Sequence, residues 1–523
     1  MPITEVASNA TKSIAIVGSG SAGIAILKAL LDLPEDVRQN WDIVLYEQRR
    51  NVGGVWLPDP NEPHPPKLPE TPLYPLLHTN TPHPTMTYPG SPFRPGTPLF
   101  PSHEWVEQYH VDYAEQFGLY PYIHVNHTVH AAGWKGNSTH GQWLVEVHRS
   151  QVDGSKQVIR RSFDHLVVAN GHNHYPRVPK FNGLEEWLAN TPPGRPKREI
   201  LHSIFYREPE RYIGRTVLVI GGGASGRDAV LQVGPLTKTY HSLKEGVDPT
   251  PGANIILKPR IAYFNRTSII FTDGSAVSDV DAIIAATGYK FLVPFLTRSP
   301  DDSAASAGLV TSPSTTSNCT TATTLISNER YIFPLWRHVF SISPQHPVTA
   351  LSFVGLPVLI ANCPSDRAQS LLISHAIANP SILEPRSELL ADLVAQENRL
   401  RDRGYDPYYV GHKMVGGDDD AQEYQNLLVR YLKEKGALPD DGKDFVEKWR
   451  KIARKESFLL RCAWKRIEDA GEEDKWLAGI ETEDEWADLI LRLVDWQKKW
   501  EAEHGQTEVD LPPEELWDAS GYY

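Results

Sequence analysis

Two glycine-rich turns constrain what this chain of 523 residues can fold into more than any other feature. The first, Gly18-Ser19-Gly20-Ser21-Ala22-Gly23, follows the β-branched run Ser13–Val17 and opens a helical stretch over Ala22–Leu31. A second apolar run, Ile43–Tyr46, completes a βαβ opening. Gly18 permits the tight turn, Gly20 lets the backbone approach a pyrophosphate, and Gly23 allows close packing of helix on strand. Backbone N–H groups at the helix start, Ser21 and Ala22, then face the phosphates. Glu47, followed by Gln48, ends the next strand 24 residues after Gly23, where a carboxylate can accept hydrogen bonds from both ribose hydroxyls.

The second turn, Gly221-Gly222-Gly223-Ala224-Ser225-Gly226, starts 203 positions after Gly18 and again lies between an apolar run, Thr216–Ile220, and a helical stretch. The strand predicted next, Thr237–Ser242, ends without a carboxylate and offers His241, Ser242 and Lys244, while Arg227 opens the helix. A 2′-phosphate needs cationic donors and is repelled by an acid, so this site suits NADPH, and the ribose-binding acid of the first suits FAD. Two nucleotide sites in one chain imply hydride transfer from nicotinamide to flavin.

The charge balance adds a boundary. Residues 381–523 hold 34 acids and 21 bases, whereas residues 1–380 hold 31 of each, so the net charge of −13 sits wholly in the tail. No segment is basic enough for a nucleic-acid surface, and the run Lys448–Lys455 predicts a solvated helix face. The tail repeats Trp486, Leu489, Ile490, Leu493, Trp496 and Trp500 at spacings of three and four, one apolar stripe for packing or for self-association into a homodimer. Between Pro58 and Pro101 lie 15 of the 42 prolines, which predicts an ordered loop or cap with short turns. Ser299–Asn328, rich in Ser, Thr and Ala, predicts an exposed insertion. Cys319, Cys363 and Cys462 form neither a disulfide framework nor a CxxC dithiol, so a flavin disulfide reductase is disfavoured and a reducing, cytoplasmic location fits. The scattered histidines, His83 and His103 among them, show no ligand spacing and predict no metal site. No signal peptide or membrane span is predicted, since the best apolar run, Ala350–Ala361, contains Pro357 and is about half a span.

Further motifs resemble those of class B flavin-dependent monooxygenases, and among these the flavin-containing monooxygenases. Gly53-Gly54-Val55-Trp56 is similar to the family's GGxW, Thr79-Asn80-Thr81-Pro82 to its TNxP, and Val168–His172 to its ATGH stretch with Asn170 in place of Thr. His202–Pro209 is similar to the second half of the family fingerprint, Ala286-Thr287-Gly288-Tyr289 to its ATGY signature, and Pro364–Gln369 to the start of the last flavin-side helix, with Asp366 where Glu is common. One departure stands out: the Phe-x-Gly that should sit just before the histidine is replaced by Pro196 and Arg198. Phe181-x-Gly183 lies upstream of an inserted Leu184–Leu201, which predicts an altered hinge.

The resemblance implies an α/β fold with two Rossmann-like dinucleotide-binding domains. An FAD-binding domain, 1–178 and 289–380, is interrupted by an NADPH-binding domain, 179–288, and a helical extension, 381–523, packs on the FAD domain. It implies an enzyme of the N,N-dimethylaniline monooxygenase type. NADPH reduces FAD, O2 forms a flavin C4a-hydroperoxide, and a nucleophilic amine, thiol or sulfide takes the distal oxygen. Asn80 is the leading catalytic residue, since the matching asparagine bonds near flavin and NADP+, and its amide donates and accepts without changing charge. Tyr206 either lines the nicotinamide path or packs in a core. His202 braces the hinge, and Ser365 and Asp366 either cap a helix or aim its N–H groups at reduced flavin. Gly54, Val55, Trp56, Thr79, Gly221, Gly223, Ala224, Ser225, Gly226, Thr287 and Gly288 complete the cofactor contacts. A Baeyer–Villiger enzyme acting on a ketone is the alternative, although that group usually has Trp where Tyr206 stands. A non-catalytic binding protein is disfavoured by intact glycines at both turns.

Overall fold

A computed structural model describes residues 3–4, 10–151, 153–245, 254–300 and 306–505. The first parallel sheet runs in the order Leu335–Trp336, Phe340–Ser341, Leu351–Phe353, His165–Val168, Lys12–Val17, Trp41–Tyr46, Ile123–His124. The last five are parallel and the first two are antiparallel additions. Lys12–Val17 is covered on both faces, as an apolar run in a parallel sheet must be. Ile14 and Ile16 face the helices Ser21–Leu31 and Asn362–Ala378. Ala15 and Val17 face Trp143, Val145 and Phe163 of an antiparallel sheet. The strand order reverses at Lys12–Val17, so its C-terminal end, beside that of His165–Val168, is a topological switch point. Open α/β sheets bind ligands there.

The second parallel sheet repeats this logic in the order Ile255–Lys258, Thr239–Ser242, Val217–Ile220, Ala282–Ala285, Glu199–His202, all parallel. Helix Ala224–Val233 covers one face, and Trp187 with a small antiparallel sheet over Ile261–Val277 covers the other. The chain is therefore the α/β architecture predicted, with two Rossmann-like units and a helical C-terminal region.

The tail departs from expectation in its reach. Helix Gly417–Glu434 packs on Asn362–Ala378, with Leu428 and Leu432 joining the core of the first unit. Helices Ser457–Ala470 and Glu483–His504 bury Trp464, Trp486, Leu489, Ile490 and Leu493 together with Leu99 and Phe100 of the proline-rich segment. The apolar stripe is thus a core against that segment, and Trp500 lies at its rim between Arg466 and His504. Nor is Lys448–Lys455 simply solvated: Arg450 is 4% exposed, because this helix turns it onto acceptors in the same segment. Ser299–Asn328 is only in part the exposed insertion predicted. Residues 301–305 lie outside the described residues, but Leu309–Thr311 and Leu325–Ser327 pair as parallel strands, and Leu309, Cys319 and Leu325 are buried. Much of the segment is exposed as expected, Thr311, Ser314, Thr320 and Thr323 included, but its β-branched runs add a short strand pair that the insertion reading did not foresee.

The departure at the fingerprint has a structural answer. Arg198 is 3% exposed and its guanidinium donates to the carbonyls of Asn190 (3.0 Å), Trp187 (3.2 Å), Arg266 (3.2 Å) and Thr267 (2.9 Å), over the Trp187 ring. One side chain thus ties the inserted segment to the antiparallel cover of the second unit. Arg198→Ala removes the donor of the Asn190 and Thr267 carbonyls, while Trp187 O and Arg266 O keep bonds from Asn190, and should destabilise the fold by about 1–3 kcal/mol in denaturant titration.

Candidate active site

The first glycine turn is built by close backbone approach. A Cβ on Gly23 would lie 1.8 Å from the Gly18 carbonyl oxygen, and one on Gly18, at φ +102°, would lie 2.5 Å from that of Ala169. The Gly53-Gly54 turn leans directly on it: Gly53 N–H donates to Ser19 O (3.1 Å), and a Cβ on Gly54 would stand 2.8 Å from Gly20 Cα. Arg49, which sequence reasoning missed, fixes that turn by donating to Gly54 O (2.7 Å) while bonded to Glu70 (2.8 Å). Only its place two residues after the acid could have signalled it. Glu47 is 5% exposed; one carboxylate oxygen accepts from Ser19 N–H (2.8 Å) and Oγ (2.9 Å), the other from Arg49 N–H (2.8 Å). The carboxylate therefore shapes the turn and keeps lone pairs for further donors. Gln48 and Val55 are exposed and Trp56 is half-buried against the first core.

The helix start at Ser21 and Ala22 is where separate segments converge. Tyr88 of the proline-rich segment donates its hydroxyl to Ser21 O (2.6 Å). Asp366 is hydrogen-bonded to the Ser21 side chain, and burial pushes its carboxyl up to about 7 against that bond. Ser365 and Asp366 do not start the helix. It begins at Asn362 behind an extended Ala361, without a side-chain cap, so both residues sit buried within it. An ordinary carboxyl loses its proton near pH 3.8. Between about pH 4 and 7 the folded chain keeps a proton that the unfolded chain has lost, and stability falls as pH rises through that window. Asp366→Asn should therefore flatten the decline expected between about pH 4 and 7 in urea titrations of flavin-free protein, by at most about 4 kcal/mol.

The second turn repeats the steric signature. A Cβ on Gly226 would meet Gly221 O at 2.0 Å, and one on Gly221 would meet Ala286 O at 2.3 Å. Gly223, by contrast, faces open space: beyond its chain neighbours, no atom of the described residues lies within 4 Å of the place its Cβ would take. This is the room a pyrophosphate needs before the N-terminus of helix Ala224–Val233, which carries Ala224 and Ser225. Arg227 donates to Gly222 O (2.9 Å) and so braces the turn. Ser242 is buried and donates to Pro259 O (2.7 Å), while Lys244 lies half-buried just beyond the strand. Both turns thus show the close backbone approach that a dinucleotide turn requires, and the second also has open space before its helix.

Between the units, His202 acts as a brace: its Nδ1 accepts from Ile204 N–H (3.1 Å), so Nε2 carries the hydrogen donated to Gly288 O (3.0 Å). Burial lowers its pKa to about 4, which keeps the ring neutral. Thr287 Oγ1 donates to Arg177 O (2.5 Å), and Arg177 N–H returns to Gly288 O (2.9 Å), so the crossover strands are laced together.

The proline-rich segment links both sites. At one end Tyr74 bonds Asp228, next to Arg227, and its ring meets Tyr206 edge-on at 5.3 Å. At the other, Tyr88 holds Ser21. Asn80 lies between these anchors, exposed, beside buried Thr79. Tyr206 is elsewhere: 4% exposed, it donates its hydroxyl to Gln232 Oε1 (2.7 Å) and packs in the core of the second unit.

The histidines need one correction. His130, Glu146 and His148 do converge, because a bulge between Val129 and Ala131 shifts the register at His130. Arg160 pairs with Glu146 (2.7 Å), however, and an Arg298 nitrogen stands 3.4 Å from His130 Nδ1, so two guanidinium charges oppose a cation there.

The profile of the flavin-binding monooxygenase-like family matches residues 11–242 and 251–307. The chain belongs to this family. A flavin-containing monooxygenase of Arabidopsis thaliana, FMO GS-OX-like 8, is 28% identical over 477 residues, covering 86% of this chain and 90% of the relative. Senecionine N-oxygenase of Tyria jacobaeae is 29% identical, covering 67% and 68%. The S-allyl-L-cysteine S-oxygenase of Allium sativum shares the fold, with TM-score 0.68 and 24% identity over 95% of this chain and 99% of that one. Coverage at this level reaches beyond residue 380, so the likeness extends into the helical tail that the motifs alone had left out. The chain is a flavin-dependent monooxygenase, an oxidoreductase of a family whose standard cofactors are FAD and NADPH. Among the described residues no helix is long and apolar enough to cross a membrane.

Proposed function

We propose that this chain uses NADPH and O2 to oxygenate a nucleophilic nitrogen or sulfur atom of a small molecule. The observation that carries the proposal is the position of Asn80, exposed between an anchor on each nucleotide turn. Bound FAD supplies the redox chemistry, accepting a hydride from NADPH and delivering oxygen to the substrate. The protein's own tasks are then binding, orientation and exclusion of water. On this reading residues 1–178 and 289–380 bind FAD, residues 179–288 bind NADPH, and residues 381–523 cover the first unit. Glycines 18, 20, 23 and 54 would admit the first pyrophosphate, Glu47 would face its ribose, and Gly223 with Ala224 and Ser225 would admit the second. The Asn80 amide would hold its partners in the cleft by hydrogen bonds that survive any change of pH. A nucleophilic nitrogen or sulfur needs no general base, and a neutral amide such as that of Asn80 suffices to hold its partners. The three buried thiols suit a reducing compartment, the cytoplasm.

The test is direct. Purified protein should be yellow, and its NADPH oxidation should be stimulated by dimethylaniline or a thioether with N-oxide or sulfoxide as product. Lack of bound flavin, or turnover of ketones alone, would refute it. Lys244→Ala should raise the KM for NADPH about tenfold while leaving that for NADH unchanged, the loss of one charge-assisted bond to a 2′-phosphate. Equal effects on both would remove Lys244 from that role.

A further inference from the structure

The acidic tail sends two arginines into the proline-rich segment. Arg461, on helix Ser457–Ala470, donates to the carbonyl oxygen of Thr79 (3.0 Å), the residue before Asn80, with its guanidinium 4.2 Å from the centre of the Phe100 ring. Arg450, on helix Lys448–Lys455, donates to Pro84 O and to Thr87 Oγ1 (3.1 Å) and is paired with Glu483. Between them His83 is fully buried, its ring 4.4 Å from that of Trp486. The stretch 79–87 is therefore held at both ends by guanidinium groups and in the middle by an apolar contact, all from the tail.

The geometry assigns Arg461 as a positioning residue for Asn80: the helical tail fixes the active-site turn through the Thr79 carbonyl. This rests on the role proposed for Asn80 above. Backbone bonds from Thr79 N–H to Pro101 O (2.9 Å) and from His83 N–H to Leu99 O (2.9 Å) hold the segment from one side. The Thr79 carbonyl itself is met by Arg461, whose planar guanidinium fixes it with little freedom. Arg461 is also placed to report on the second unit, because the Asp228 carboxylate, itself bound to Tyr74, senses its charge. The tail is in this way tied to both nucleotide sites rather than forming a separate acidic layer.

The experiment measures product and H2O2 formed per NADPH for holoenzyme carrying Arg461→Ala, Arg461→Lys, Asn80→Ala, and Arg461→Ala with Asn80→Ala. The expected result is unchanged flavin content, a severalfold rise in H2O2 per NADPH for Arg461→Ala, and partial recovery in Arg461→Lys, which keeps one donor. The double variant should be no worse than Asn80→Ala alone, since both changes act on one element. Additive effects, or a normal H2O2 yield in Arg461→Ala when Asn80→Ala raises it, would overturn the assignment. No effect from Asn80→Ala itself would instead overturn the role of Asn80 on which it rests. Should Arg461→Ala lose flavin, hydrogen exchange of residues 79–87 in flavin-bound Arg461→Lys decides: faster exchange supports the positioning role and unchanged exchange refutes it.

Discussion

Gly226→Ala is expected to abolish productive NADPH binding while the flavin stays bound. The added methyl would lie 2.0 Å from Gly221 O, a backbone atom at the end of a buried strand that has nowhere to go. Helix Ala224–Val233 must then move away from the sheet, and the N–H groups meant for the pyrophosphate move with it. An increase in KM for NADPH of about 100-fold or more corresponds to roughly 3 kcal/mol. The flavin absorbance should persist, because the first turn lies on a different sheet. Gly223→Ala provides the contrast. Among the described residues, nothing beyond its chain neighbours lies within 4 Å of its Cβ, so thermal stability should be unchanged and only NADPH affinity should drop. If Gly223→Ala left NADPH affinity intact, the open space there would not be the pyrophosphate site.

Asn80→Ala is expected to cut product per NADPH by about tenfold or more, the scale of losing one preorganised hydrogen-bonding group in an active site. Asn80 is exposed and its side chain supports no core, so stability should change by no more than about 0.5 kcal/mol. NADPH oxidation should continue, with H2O2 replacing product. Comparison of peroxide and product yields against wild type checks this, and an unaltered ratio would place the chemistry elsewhere.

Much of this architecture was legible in the sequence because it follows from local chemistry. Gly23 and Gly226 would collide with the carbonyl oxygens of Gly18 and Gly221, five residues earlier in the same turn, if they bore a side chain, so their spacing fixes turn, strand and helix together. Gly54 was legible only through its likeness to the family's GGxW motif, since the Gly20 it leans on is 34 residues away. What stayed hidden depends on contacts distant in sequence. Arg450 lies in a basic run that resembles a solvated face, and its acceptors at Pro84 and Thr87 are carbonyl and hydroxyl oxygens that leave no charge pattern. Arg198 meets only carbonyls, which any residue supplies. Asp366 looked like a capping residue because it stands near a helix start, but the helix begins four positions earlier. The acidic excess marked the tail correctly as a helical layer, yet charge counting could not show that two of its arginines point inward at the segment bearing Asn80.

The most direct test of the central claim is oxygen-isotope transfer. Holoenzyme turning over NADPH under 18O2 with a thioether or a tertiary amine should yield sulfoxide or N-oxide carrying one 18O atom for each NADPH consumed. Label found only in H2O2, or only in an ester formed from a ketone, would contradict it.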